Sequence, residues 1–114
     1  MIVMNILQLK TDATESIASH QIIDSQDATI VQLQLKEGEM LREHFQDRTM
    51  YVIVQKGKVT FMITGEKVSL DESILLRLDP HERHAVTAET DCSLLLIKVG
   101  KPHNEEAHPP VTGK

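Results

Sequence analysis

Tryptophan is absent, and only three aromatic residues occur in 114: Phe45, Tyr51 and Phe61. Any core must therefore be aliphatic, built from Ile, Leu, Val and Met. Cys92 is the single cysteine, which excludes an internal disulfide and agrees with a reducing cytoplasm. No apolar run approaches the roughly 18 residues needed to span a bilayer, so no membrane partner is expected. The start, Met1 to Asn5, has no basic segment followed by a long apolar stretch, and the reading at this point is of no secretion signal. Basic clusters are missing too. The formal charge is −5 with Lys and Arg scattered, which argues against a nucleic-acid partner, since phosphate binding needs a concentrated cationic surface.

What the chain does have is period-two hydrophobicity between closely spaced turns. Thr29–Leu35 sets Val31, Leu33 and Leu35 on one face and Gln32 and Gln34 on the other, the pattern of a strand with one wet side. Lys58–Thr64 alternates likewise, with Val59, Phe61 and Ile63 opposite Thr60, Met62 and Thr64. Further strands are expected over Ile17–Ile23, Tyr51–Val54, Lys67–Leu70, Ile74–Leu78, His84–Ala88 and Cys92–Val99. Lys56-Gly57 and Thr64-Gly65-Glu66 read as hairpin turns. No stretch from 16 to 99 sustains a helical period with caps. The expectation is an all-β sandwich or barrel of about eight to ten strands. Its core would draw on Val31, Leu33, Val52, Val54, Val86, Leu94 and Leu96. Residues 1–15 read as a lead strand or arm, 16–100 as the barrel, and 101–114, with its prolines, as a polar tail.

Two histidine-bearing stretches stand out, Gly38–Gly57 and Leu78–Val86. In the first, Gly38 is followed after five residues by His44, then Phe45 and Gln46, then after three residues by Met50, and after six more by Gly57. In the second, His84 follows Ser73, Pro80 and His81. These stretches resemble the two motifs of the small single-domain bacterial cupins, RmlC-like jelly rolls of the double-stranded β-helix type. The resemblance covers about residues 28–99 and includes both glycines and the first histidine of motif one. Gln46 stands where the family has its second histidine and Met50 where it has glutamate. In motif two only His84 matches plainly, with Ser73, His81 and Ala88 in the places of Gly, Gly and Asn.

The resemblance implies a metal site of three imidazoles and a carboxylate, of which this chain keeps His44 and His84. Any divalent metal held there (Zn, Ni, Fe or Mn) is expected to bind weakly, with His81 as a third ligand able to swing in from outside the strand. The neutral amide of Gln46 and the thioether of Met50 are poor replacements for hard or borderline cations. The other reading is of a small-molecule pocket lined by His44, Gln46, Met50, Val52, Met62 and His84, with the two imidazoles as polar handles in an apolar wall. Three roles stay open: a non-catalytic or sensing module, a metal-dependent dioxygenase or isomerase using His44 and His84, and metal-free acid–base chemistry. Cys92 reads as a buried, inert thiol and His20 as a surface or interface residue. His103 and His108 lie in the tail. The apolar residues Ile2, Val3, Ile6 and Leu7 point to a symmetric homodimer with residues 1–9 at the interface.

Overall fold

A computed structural model describes residues 1–6 and 18–101, and within them all regular structure is strand. Nine strands follow one another: β1 (Ala18–Asp24), β2 (Ala28–Leu35), β3 (Met40–His44), β4 (Thr49–Lys56), β5 (Val59–Ile63), β6 (Glu66–Leu70), β7 (Leu75–Leu78), β8 (His84–Ala88) and β9 (Cys92–Val99). They form a five-stranded sheet in the order β1-β2-β9-β4-β7 and a four-stranded sheet in the order β3-β8-β5-β6. All pairings are antiparallel. From β2 to β5 the chain changes sheet at every connection, and it does so again from β6 to β9. That winding of two antiparallel layers around one interior is a double-stranded β-helix. Among the described residues no helix is long and apolar enough to cross a membrane.

The alternation read from sequence sets the faces. Val59, Phe61 and Ile63 of β5 turn inward, as do Met50, Val52 and Val54 of β4 and His84, Val86 and Ala88 of β8. With Leu33, Leu35, Leu70, Leu78, Cys92 and Leu94 the apolar members form one core, and Leu96 packs against it. Val31 is buried as well. Phe61 is the only aromatic ring in that core, so its packing is aliphatic, as the composition required.

Four expectations are corrected. Lys56-Gly57 does not close a hairpin, because β4 and β5 lie in different sheets; Gly57 instead carries the chain across the barrel. Its φ is +91°, and a Cβ there would come within 3.0 Å of the Asp91 carbonyl oxygen, Thr90 Oγ1 and Cys92 Cβ. Only glycine fits such a crossing. By contrast Thr64-Gly65 is a true two-residue hairpin between β5 and β6, with φ of 47° and 86°. Positive φ at both central positions marks the type I′ turn that matches strand twist.

The second correction is confined to residues 1–6 of the lead strand or arm expected over 1–15. Residues 1–6 are not in a strand, and Ile2 and Val3 are exposed; residues 7–17, with Leu7 and the start of Ile17–Ile23, lie outside the described residues, as does the tail from 102 with His103 and His108. Third, the outer side of β2 is not wet at Gln32, which is buried. The Ile6 carbonyl oxygen accepts from Gln32 Nε2 at 2.9 Å and from Gln55 Nε2 at 3.4 Å, so the N-terminal segment lies over that face. Fourth, Met62 falls on the outer side of β5, away from the core, and therefore does not line an interior pocket.

Candidate functional site

Strand β3 is an edge strand whose register against β8 is interrupted. Leu41 pairs with Val86 but His44 pairs with His84, so three steps on β3 answer two on β8. Strict alternation from Leu41 would turn Glu43 inward and His44 outward. The surplus residue, a β-bulge, reverses this, since directly paired residues share a face. His44 thereby sits beside the buried His84, with ring centroids 4.3 Å apart and planes tilted by 59°. Glu43 stays outside, its carboxylate 3.9 Å from the guanidinium of Arg83.

Both imidazoles are oriented by the backbone. His44 Nδ1 donates to the Arg42 carbonyl oxygen at 2.9 Å, and His84 Nδ1 donates to that of Glu82 at 3.0 Å. A carbonyl only accepts, so each Nδ1 carries a proton, and in the neutral ring Nε2 is left as the nitrogen open to a ligand. Phe61 stacks on His84 at 6.0 Å. Burial pushes the His84 pKa down, His44 adds to the effect, and the Glu82 carbonyl partly opposes it. His84 is therefore a neutral imidazole at pH 7.

The rest of this barrel end follows from connectivity. The loop 45–48 runs from His44 to β4, and the loop 79–83 runs from β7 to His84. The His81 amide donates to the Gln46 carbonyl oxygen at 2.7 Å, which ties the two loops together. Phe45 sits between them, edge-on to the His81 ring at 5.5 Å and under the Arg83 guanidinium at 5.1 Å. Facing His44 and His84 from the other sheet is a rung of directly paired residues: Asp24, Thr29, Lys98, Met50 and Leu78.

The residues expected at the site are thus dispersed in part. His44 and His84 meet, and Met50 and Val52 face the same interior. Gln46 lies past the end of β3, so strand pleat does not direct its side chain; its backbone holds the neighbouring loop instead. His81, at φ 65°, is engaged with Phe45. Among the described residues no three His, Cys, Asp or Glu side chains are grouped closely enough to hold a metal ion, and His81 therefore does not complete a set with the imidazole pair. The residues present do not fit the family's site of three imidazoles and a carboxylate. Cys92 is buried, and burial raises its thiol pKa, which makes it unreactive. His20 lies on edge strand β1 opposite Gln32, in the sheet that does not carry the imidazole pair.

A double-stranded β-helix with paired imidazoles at one end of its interior defines a class, and comparison with known proteins identifies it. An RmlC-like cupin from Desulfovibrio desulfuricans superposes with a TM-score of 0.76 at 21% identity, over 87% of this chain and 96% of that one. An RmlC-like cupin with a double-stranded β-helix fold from Methanocaldococcus jannaschii gives 0.71 at 17% identity, over 84% and 88%. In sequence, an L-ectoine synthase from Sphingopyxis alaskensis is 35% identical over 79 residues, 68% of this chain. The chain spans about half the length of that curated relative, at 51%. No protein-family model matches the chain. In fold this protein is an RmlC-like cupin.

Proposed function

We propose that this barrel binds a small organic molecule at the end where His44 and His84 meet, as a binding module with no reaction of its own. The observation that carries the reading is the donor inventory of the inner wall. Two backbone-oriented imidazoles lie side by side, with Phe61 stacked on His84, while buried Met50 occupies the position of the family's carboxylate. Such a wall offers two polar handles beside apolar side chains, the composition of a ligand pocket. The test is a screen of metabolite mixtures against the full chain in the presence of a chelator, followed through the His44 and His84 ring signals by NMR. Ligands that shift both rings and raise the melting temperature without metal support the reading. A protein that responds only after metal loading overturns it.

One observation favours a catalytic reading as well, the 35% identity with an L-ectoine synthase. It predicts stoichiometric metal in the purified protein and turnover of a substrate of that enzyme's class. Elemental analysis beside the ligand screen separates the two readings.

A further inference from the structure

The rung that faces the imidazole pair carries an unusual feature for a barrel interior, two cations. Lys98 follows Leu94 and Leu96 at alternate positions of β9 and pairs directly with buried Met50 on β4 and buried Thr29 on β2. Directly paired residues share a face, so Lys98 belongs to the inner face of its sheet. Arg48 reaches the same rung from the 45–48 loop, its Nη1 donating to Thr29 Oγ1 at 3.1 Å. Thr29 Oγ1 in turn donates to Asp24 Oδ1 at 3.0 Å.

The two cations are incompletely answered by the protein. Arg48 Nε is buried and has no hydrogen-bond partner among the described residues. A buried donor without an acceptor costs about 1–3 kcal/mol, and such a group calls for a physical explanation. No hydrogen bond or ion pair to Lys98 occurs among the described residues. Burial lowers the Lys98 pKa and the Arg48 charge lowers it further, against the opposing pull of Asp47. The acidic groups near the pair are Asp47, in the loop itself, and Asp24, which already accepts from Thr29. With Nη1 committed to Thr29, the Nε and Nη2 edge of the guanidinium remains, and that edge matches the two oxygens of a carboxylate.

We propose that Arg48 and Lys98 form the seat for the carboxylate of the bound molecule, at the barrel end where His44 and His84 meet. This rests on the small-molecule reading above and narrows it to carboxylic acids. The bound carboxylate supplies the missing acceptor to Nε and relieves the repulsion between the two cations.

The experiment titrates the full-length protein with propionate and, separately, with propanamide, its neutral counterpart of the same shape. NMR follows the Arg48 Nε, Lys98 side-chain, and His44 and His84 ring signals. Propionate is expected to shift all four residues and to bind about tenfold more tightly than propanamide, the scale of a charge-assisted pair over a neutral one. Arg48→Met and Lys98→Met are each expected to remove that advantage. The comparison of the two probes on wild type does not depend on either variant folding. Equal binding of the two probes, or propionate binding that survives both substitutions, overturns the carboxylate seat while leaving the pocket in place. Shifts confined to His44 and His84 do the same. If neither probe moves any of these signals, the seat and the pocket reading fall together.

Discussion

Replacing Met50 by glutamate returns a carboxylate to the position where the family carries one, and its consequences can be worked from the fold. Met50 is 2% exposed, so the substitution forfeits about 1.5–3 kcal/mol of apolar burial. A buried carboxylate adds a desolvation cost of several kcal/mol, offset in part by Lys98 directly across the strand pair. The metal-free variant is expected to be about 3–4 kcal/mol less stable than wild type, and still folded if the parent lies in the usual range of about 5–15 kcal/mol. With His44 and His84 the new carboxylate makes three good ligands, the count at which zinc is held in open sites. At a free metal concentration of about 100 Kd, linkage restores about 2.7 kcal/mol. Urea unfolding followed by far-ultraviolet circular dichroism, with chelator or with zinc, nickel or manganese, reads both effects. His84→Asn in the same background should cancel the gain from metal. The reasoning is refuted if wild type gains as much from metal as Met50→Glu does. It is equally refuted if the folded variant gains nothing, which would mean that the new carboxylate has paired with Lys98 instead.

Two further outcomes are expected. The His84 pKa is lowered from its ordinary value of 6.5, so in mildly acidic solution the unfolded chain binds a proton that the folded chain resists. The contribution of this group to metal-free stability is therefore fully present above 6.5 and is lost as pH falls below it towards the depressed folded value; urea midpoints from pH 7.5 to 5 should fall more steeply for wild type than for His84→Gln, and parallel curves would contradict the sign. A symmetric homodimer is expected from the exposed Ile2 and Val3 beside a sheet face that also exposes Ile53 and Leu75. Light scattering should give twice the chain mass, and a chain lacking residues 1–9 that remains an equally stable dimer would remove the role given to that segment.

The strands were legible where alternation is long. β9 begins and ends at Cys92 and Val99 as read, β2 differs by one residue at its start and β5 by one at each end, because period two is a direct imprint of one buried face. Sheet membership was not legible at Lys56-Gly57. A glycine at positive φ serves a hairpin and a crossing between sheets equally well, and only the pairing of β4 with β7 and β9 distinguishes them. The β3 interruption was hidden for a similar reason: a surplus residue in a five-residue strand leaves too little pattern on either side to reveal it. Met62 was within reach, since it alternates with Phe61 and shares its side with Thr60 and Thr64. Lys98 was also within reach by parity with Leu94 and Leu96, but a lysine near a strand end reads as a solvated terminus until its partners are known. Arg48 was not, because a loop residue has no parity.

The interruption in β3 also means that two donors compete for a single inward place. Among the described residues β3 pairs with a single strand, β8, so a shift by one residue disturbs a single short ladder. Such a slip would bring Glu43 opposite His84 and carry His44 outward, exchanging an imidazole nitrogen for a carboxyl oxygen without any change of sequence. The ion pair of Glu43 with Arg83 and the Arg42 carbonyl held by His44 both oppose that exchange. An occupant that prefers an acid to an imidazole would favour it. The chemical character of this barrel end is therefore a property of where one surplus residue is stored along an edge.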